Sequence, residues 1–254
     1  MPGDMQKNHR DLPVFMHDDK TREILNEAIS CIPAGTQAYI VGGAARNSVY
    51  YKFFKKKLPS RDYDLLLIGD KNLFIKNLKK YGFSYGHTRK KHEITMKKKL
   101  ISHPKELKDY VYLDIHLSSE KSILKNLKQQ SSFTINGFAL SLRDINSQEW
   151  YDKIIALPAA LHDIKNKQLR VNVIAHPGNL FACLRFMSLG FKPPSSKEIS
   201  MLHHSLRKLE KYRFDKNVQK AYRYVGGERR ARKLAKDIGI TEDIFDFETV
   251  RSTK

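Results

Sequence analysis

The alternation of apolar and polar positions near the start of the chain predicts a helix enclosed by two short strands. An apolar run at 39–41 ends at Gly42 and Gly43, and a second run at 65–68 follows an Asp-Tyr-Asp sequence that begins at Asp62. β-Branched and aromatic residues favour strands, whereas the segment between the runs is compatible with a helix. The rest of the chain is organised around this strand–helix–strand unit.

Further elements follow from the same patterns. Residues 21–32 and 72–83 each place apolar side chains on one face of a helix, and Gly82 ends the second. Residues 92–99 predict one strand of a hairpin, and we interpret its three consecutive lysines as a solvated strand edge. The run at 110–117 is the most strand-like in the chain, while 119–130 and the segments after 195 are predicted helices. Residues 100–108 are predicted to form a loop.

Carboxylates at the start of the second strand are candidate metal ligands. Side chains two apart in a strand share a face, so Asp62 and Asp64 point the same way and repel each other unless a cation lies between them. Hard oxygen ligands suit Mg²⁺. A carboxylate inside an apolar strand, such as Asp114, is costly unless it is paired or metal-bound. The alternatives are a solvated cap for the first two and a solvated edge position for Asp114.

The glycine pair is a candidate phosphate-binding turn. Gly42 and Gly43 let backbone N–H groups approach an anion closely, and the helix after them adds its positive end. Arg46 lies in that helix, between the glycines and the carboxylates. A glycine pair alone is more often only a turn. Phosphates at one end and a metal at the other nevertheless describe a site for a nucleoside triphosphate.

The charge of the chain indicates its partner. The 254 residues include 47 Lys and Arg against 27 Asp and Glu, which gives a formal net charge of +20. Such a charge attracts polyanions and indicates nucleic acid, although a general lysine bias is an alternative explanation. We find no membrane-spanning run and no signal-peptide core, so we expect a cytoplasmic protein without a membrane partner.

The central segment resembles the head-domain signature of the tRNA nucleotidyltransferase (CCA-adding) and bacterial poly(A) polymerase family, within the DNA polymerase beta superfamily. The family pattern VGGxVRD followed by DxD is matched at Val41, Gly42, Gly43, Arg46, Asp62 and Asp64. Asn47 stands where the family has an acid. The string FTIN at 133–136 is also similar to the family's RRDFTINALAY, although Gln-Ser-Ser precedes it here. The resemblance extends from about Ala38 to Phe191, which describes a short and divergent member.

This resemblance implies an α+β fold, in which a polymerase-beta-like nucleotidyltransferase head with an antiparallel sheet and helices is followed by an all-helical neck. The expected domains are a flexible arm at 1–16, the head at 17–171 and the neck at 172–254. The implied catalytic and Mg²⁺-binding residues are Asp62, Asp64 and Asp114. The implied ligands of the triphosphate are Gly42, Gly43 and Arg46.

Further nucleotide contacts are implied at Asn136 and Asp163, with a local turn and a helix end as the respective alternatives. At the start of the neck, Ala175, His176 and Asn179 stand where the family has the Glu, Asp and Arg of its base-reading template. Either His176 and Asn179 supply a different readout, together with the retained Arg185, or base selection is lost. A basic cluster is a candidate RNA contact or a solvated helix face: Arg229, Arg230, Arg232, Lys233 and Lys236.

The sequence therefore predicts a template-independent nucleotidyltransferase with a two-metal mechanism. It would add NMP from an NTP (ATP, CTP or both) to an RNA 3′ end, with tRNA as the expected acceptor. The replaced residues favour an alternative, a catalytically reduced RNA-binding or assembly protein on the same fold. A transferase with a non-RNA acceptor is a third hypothesis. A homo-oligomer, or a partner subunit that supplies the missing base-reading residues, also stays open.

Overall fold

The computed structural model describes residues 12–58, 62–90, 92–100, 109–174 and 176–252. These residues form two compact units. The sheet unit comprises the residues up to Leu127 together with Asn136–Leu157, and the helical unit comprises Lys128–Ile135 together with the residues from Pro158 onward. Residues 158–171, which we expected in the head, thus pack with the helical unit.

One seven-stranded sheet forms the centre of the sheet unit. In the order in which they pair, its strands are β3 (Ser84–Lys90), β4 (Glu93–Lys99), β5 (Tyr110–Leu117), β2 (Asp62–Ile68), β1 (Gln37–Val41), β6 (Phe138–Ser141) and β7 (Ile155–Ala156). The predicted α+β class is confirmed. All neighbouring pairs are antiparallel except β2 and β5, so the expected antiparallel sheet is corrected to a mixed one. After β2 the chain crosses back to the end of the sheet at which β2 began. Strands β3 and β5 therefore run in the same direction as β2.

The helices of the sheet unit are α1 (Asp19–Ser30), α2 (Gly42–Phe54) and α3 (Lys71–Lys80), and α4 (Ile123–Gln130) follows β5. The Asp18 carboxylate accepts a hydrogen bond from the Thr21 N–H at 2.8 Å and so caps α1. Asp70 caps α3 in the same way through the Leu73 N–H at 2.9 Å. These local signals explain why the predicted helices begin where they do.

The two faces of the sheet differ in polarity. Leu65 and Leu113 belong to an apolar face, where both are fully buried. Lys98 of the same face pairs with Glu27 of α1 and donates to the Tyr81 carbonyl after α3, at 2.8 Å, which places both helices there. Because side chains alternate along strands, the register of β4, β5 and β2 assigns another set to the opposite face, here called the polar face: Asp62, Asp64, Leu66, Glu93, Thr95, Lys97, Lys99, Tyr110, Tyr112, Asp114 and His116.

Two sequence expectations are corrected in this unit. β4 pairs with a strand on each side as far as Lys97, so that lysine does not lie on a sheet edge, whereas Lys98 and Lys99 pair only with β5. The last residues of the predicted flexible arm at 1–16 are ordered, because Val14–His17 forms a 3₁₀ helix in which Phe15 and Met16 are buried. Residues 1–11 of that arm and residues 101–108 of the predicted loop lie outside the described residues.

The helical unit contains α5 (Ala160–Lys165), α6 (Asn179–Ser188), α7 (Ser196–Leu206), α8 (Lys211–Val225), α9 (Glu228–Asp237) and α10 (Phe247–Ser252). Its core includes Phe181 of α6 and Phe214 of α8, whose rings meet edge to face at 5.8 Å. Ser195 and Glu198 form a capping box at the start of α7. In the described part of the chain, no helix is both long enough and apolar enough to cross a lipid bilayer.

Candidate functional site

The three predicted metal ligands lie on the polar face of the sheet. Asp64 of β2 stands directly opposite Asp114 of β5 in the parallel register, and Asp62 stands opposite Tyr112. Neighbouring strands are roughly 4.8 Å apart, so Asp64 and Asp114 are direct neighbours. Asp62 is exposed and the other two are half-buried, which leaves carboxylate surface open to a substrate.

Mg²⁺ fits part of this set. The Thr95 hydroxyl donates to Asp114 Oδ1 at 2.6 Å and so occupies one of its oxygens. Among the described residues, no three His, Cys, Asp or Glu side chains are grouped closely enough to hold a metal ion. The expected three-carboxylate set is therefore not assembled as one group of ligands. Mg²⁺ is commonly bound by one or two carboxylates that substrate phosphates complete, and Asp62 and Asp64 meet that requirement.

Gly42 brings the start of α2 against the Asp64 carboxylate. Its φ is +63°, and a Cβ built at this position would lie 2.7 Å from Asp64 Oδ2. Only glycine combines this backbone conformation with so close an approach. The residue before α2 is Val41, whose side chain has no group that could cap the first N–H groups. Those donors can therefore bind an anion beside the carboxylates.

His116 is a site residue that the sequence analysis missed. Its Nε2 lies 3.8 Å from Asp64 Oδ1 on the polar face. The interaction with the Asp64 carboxylate raises the pKa of His116 above its ordinary value, while partial burial opposes the rise and the charges of Asp64, Glu93 and Asp114 add to it. The alternation that relates Asp62 to Asp64 also relates Asp114 to His116, so the signal was present in the sequence.

Arg46 is buried and its guanidinium is held by two asparagines. Its Nε and Nη2 donate to Asn47 Oδ1 at 3.2 and 2.9 Å, and its Nη1 donates to Asn136 Oδ1 at 2.7 Å. Asn47 is itself buried and donates to the Leu58 carbonyl at 3.3 Å. The amide oxygen of Asn47 thus acts as acceptor where the resembled family has an acid. Asn136 contacts Arg46 across 90 residues of sequence.

The predicted nucleotide contacts of the helical unit line one pocket. His176, Asn179 and Arg185 border a cavity of about 170 Å³, together with Lys220 and Tyr224 of α8. The Arg185 guanidinium lies 4.1 Å from the centre of the Tyr224 ring. The structure therefore brings these three predicted residues together, and α8 contributes pocket residues that the sequence analysis did not identify. Ala175 lies outside the described residues.

His176 and Asn179 each carry a side-chain hydrogen-bond donor at this pocket. The Gly178 N–H donates to His176 Nδ1 at 2.9 Å, so the neutral imidazole carries its proton on Nε2. Burial lowers the pKa of His176, as do the nearby charges of Arg213 and Lys220, which favours that neutral form. Asn179 is buried, and its Nδ2 has no hydrogen-bond partner in the described part of the chain. A ligand with acceptors on one edge would complement these donors.

Asp163, another predicted nucleotide contact, has a structural role instead. Its side chain has no exposed surface. The Thr134 hydroxyl donates to its Oδ2 at 2.6 Å, and Arg170 Nη2 donates to its Oδ1 at 3.3 Å. A buried carboxylate with these donors stabilises the helical unit, and a nucleotide cannot touch it in this structure. Asp163 lies within α5 and not at its end, so the helix-end alternative does not describe it either.

The basic cluster on α9 divides into two groups. Arg232 Nε donates to Glu228 at 2.7 Å, its Nη1 lies 2.6 Å from Asp243 Oδ1, and its guanidinium lies over the Phe245 ring. The hydrogen bonds to Asp243 and Glu228 raise the pKa of Arg232, so its charge is engaged within the unit. The remaining four side chains are exposed and stay candidate phosphate contacts: Arg229, Arg230, Lys233 and Lys236.

Several solved structures are similar to this chain. The CCA-adding enzyme of Thermotoga maritima, solved in complex with tRNA, matches with 16% identity and a TM-score of 0.64, over 88% of this chain and 52% of that one. A CCA-adding enzyme with CTP matches with 15% identity and a TM-score of 0.57, over 85% and 55%. A tRNA-processing enzyme in an apo form matches with 24% identity and a TM-score of 0.59, over 88% and 56%.

These matches establish the fold. The resemblance predicted from the sequence is confirmed at that level, because this chain shares its α+β fold with CCA-adding enzymes. The chain spans about half the length of these solved proteins, from 52% to 56%. No family model matches the sequence, and no curated protein matches it either.

Proposed function

We propose that this chain is a nucleotidyltransferase of the CCA-adding family that transfers NMP from an NTP to the 3′ end of an RNA, with tRNA as the acceptor. One observation carries the proposal. Asp62 and Asp64 share the polar face with Asp114, and Gly42 brings the first turn of α2 against Asp64. Such a juxtaposition of carboxylates and anion-binding N–H groups suits a metal–triphosphate substrate, and the chain has the fold of enzymes solved with CTP and with ATP.

The first turn of α2 would bind the triphosphate. The N–H groups of Gly42 and Gly43 and the positive end of the helix favour negative charge at this place. Arg46 lies one turn further along α2, where Asn47 and Asn136 fix the orientation of its guanidinium. In the reaction, the RNA 3′ oxygen forms a bond to the α-phosphorus, and pyrophosphate leaves as the bond to the β-phosphate breaks.

Asp62 and Asp64 would hold Mg²⁺, with Asp114 beside them. When bound, the ion would neutralise triphosphate charge and favour ionisation of the attacking hydroxyl. The position of Asp62 and Asp64 at the start of β2, exposed and half-buried respectively, leaves room for such a substrate complex.

His176 and Asn179 would read the base through its acceptors. Cytosine has two neighbouring acceptors, O2 and N3, whereas the Watson–Crick edge of adenine has an acceptor beside a donor. We therefore expect CTP to be preferred over ATP. The donors at His176 Nε2 and Asn179 Nδ2 support this choice.

A second candidate function is RNA binding without catalysis. The observation that favours it is that Asn47 and Asn179 stand where the resembled family has an acid and an arginine. The exposed basic residues of α9 would serve either function. Nucleotide transfer distinguishes the two candidates.

The test is incubation of the purified chain with Mg²⁺, tRNA and each labelled NTP in turn. Label should enter the RNA with the wild type and fall by at least roughly 10²-fold in Asp62→Ala/Asp64→Ala, because charge stabilisation at the reacting phosphate is lost. Glu149→Ala/Asp237→Ala removes the same charge from exposed positions elsewhere and should keep the activity. If the wild type binds RNA but incorporates no nucleotide, the transferase proposal fails and RNA binding remains.

A further inference from the structure

An aromatic and basic patch lies on the polar face beside the candidate catalytic carboxylates. We define this patch as His87, Lys97, Lys99, Tyr110 and Tyr112. The Tyr110 and Tyr112 rings lie 6.1 Å apart, and the His87 ring lies 5.9 Å from Tyr112. The Lys97 ammonium is 4.7 Å from the centre of the Tyr110 ring. Rings and cations thus alternate on one surface.

The side chains of the patch differ in how much of their surface is exposed to solvent. Tyr112 is only 8% exposed, so its ring forms the floor of the patch. Tyr110 and Lys97 are half-exposed, while His87 and Lys99 are exposed. A planar ligand can therefore reach Tyr110, and an anion can reach both lysines.

Because side chains alternate along a strand, the three lysines of β4 lie on different faces of the sheet. Lys98 faces the other side, where it pairs with Glu27. Lys97 and Lys99 share the polar face, two residues apart, and their like charges are unfavourable unless an anion lies nearby. Lys97 is paired on both sides, with Ser84 of β3 and Tyr112 of β5, whereas Lys99 pairs only with Tyr110 of β5.

The strand register connects the patch to the carboxylates. Tyr112 of β5 stands opposite Asp62 of β2 on one side and opposite Lys97 of β4 on the other. Lys99 stands opposite Tyr110. The patch therefore begins one strand spacing, roughly 4.8 Å, from the first candidate metal ligand.

We propose that this patch binds the single-stranded 3′ end of the RNA acceptor. Tyr110 stacks with a base, and Lys97 and Lys99 bind the phosphates beside it. Base stacking on an aromatic ring flanked by cations is how proteins bind single-stranded nucleic acid without reading its sequence. The proposal rests on the proposed function, since an acceptor held here would extend toward Asp62.

The experiment measures the affinity of the full chain for a fluorescent single-stranded oligoribonucleotide by anisotropy, without NTP or Mg²⁺. Tyr110→Ala should weaken binding by on the order of 10-fold, because stacking is lost, whereas Tyr110→Phe should stay within about twofold of the wild type. Lys97→Ala/Lys99→Ala should reduce the slope of log K against log salt by roughly 0.7 for each lysine. Lys76→Ala/Lys80→Ala, which removes equal charge from exposed positions on α3, is the matched control.

The outcomes separate the patch from the proposed function. Weaker RNA binding by the patch variants, with no nucleotide transfer by the wild type, would support the patch and refute the transferase. Transfer by Tyr110→Ala with an unchanged KM for RNA would overturn the patch and keep the transferase. If both sets of patch variants bind RNA as tightly as the α3 control, the RNA-binding role of the patch is also overturned. The patch would then be a candidate surface for contact with a protein. Thermal unfolding verifies the fold of each variant. If Tyr110→Ala does not fold, the salt dependence of Lys97→Ala/Lys99→Ala tests whether the patch binds RNA.

Discussion

Gly42 and Asp64 lie so close together that the start of α2 and the carboxylate of β2 exclude any side chain between them. A Cβ on Gly42 would lie 2.7 Å from Asp64 Oδ2, a separation that real Cβ atoms do not show. The helix therefore delivers its first N–H groups directly beside a candidate metal ligand. This contact joins the phosphate-binding and metal-binding halves of the proposed head site.

Gly42→Ala should slow nucleotide transfer by on the order of 10²-fold. The new methyl group displaces Asp64 or the first turn of α2, and a misplacement of about 1 Å at a reacting centre can cost on the order of 10²-fold in rate. Initial rates of NMP incorporation measure the loss. The backbone strain at positive φ, roughly 1–2 kcal/mol, applies as well.

Gly82→Ala is the matched control for that variant. Gly82 has a φ of +81°, and nothing lies within 4 Å of a Cβ built there. It should show a similar loss of stability in urea unfolding but keep the rate of transfer. Equal rates for Gly42→Ala and the wild type would contradict the role of the close approach.

Asn47→Leu should lower the free energy of unfolding by about 1–3 kcal/mol, because buried Arg46 N–H groups lose an acceptor that no water replaces. Asn47→Asp keeps the two acceptor contacts with Arg46 and adds charge assistance, so it should be better tolerated. Urea unfolding compares the stabilities, and the KM for NTP reports the orientation of Arg46. If the leucine variant were as stable as the wild type, the observed hydrogen bonds would contribute nothing.

The sequence was sufficient where the relevant relationship is local. The pairing of Asp62 with Asp64 follows from the two-residue repeat of a strand, and the glycine turn follows from residues next to each other. The hydrogen bond of Arg46 to Asn136 spans 90 residues and depends on the fold. A pattern of neighbouring residues cannot reveal a contact between residues so far apart in the sequence.

The order of the strands in the sheet was a second feature that the sequence did not predict. Three lysines in a row are typical of an exposed edge, but only the order β3-β4-β5 reveals that Lys97 lies between two strands. The same holds for Tyr224, which joins the pocket of Arg185 only because α8 packs on α6. The 3₁₀ helix with Phe15 and Met16 is too short to produce a periodic signal.

Asp163→Ala should destabilise the helical unit by about 1–3 kcal/mol without changing the KM for NTP, because the buried Thr134 hydroxyl loses its acceptor. Thr134→Val removes the other partner of that hydrogen bond and is the matched comparison. In a double-mutant cycle, the two losses should be less than additive. A raised KM in a stably folded Asp163→Ala protein would instead return this residue to the nucleotide site.

The basic residues of α9 should separate into two classes in a salt titration. Arg229→Gln/Arg230→Gln should reduce the slope of log K for tRNA against log salt by roughly 0.7–0.9 per side chain, because exposed cations release counterions from RNA. Arg232→Gln should leave the slope unchanged and lower the thermal stability, since its guanidinium is engaged by Glu228 and Asp243. The opposite assignment of the two effects would refute the division of the cluster.

His176 should make the stability of the chain sensitive to mild acid. Burial and the charges of Arg213 and Lys220 lower its pKa in the folded state from the ordinary 6.5. The unfolded chain therefore binds this proton more readily, so the contribution of His176 is fully present above pH 6.5 and is lost as the pH falls toward the lowered value. Urea unfolding between pH 5 and 8 should show a flatter acid limb for His176→Gln than for the wild type, and His204→Gln, at an exposed position on α7, provides the control. An acid limb that is unchanged in His176→Gln would mean that this imidazole is not held in its neutral form by the fold.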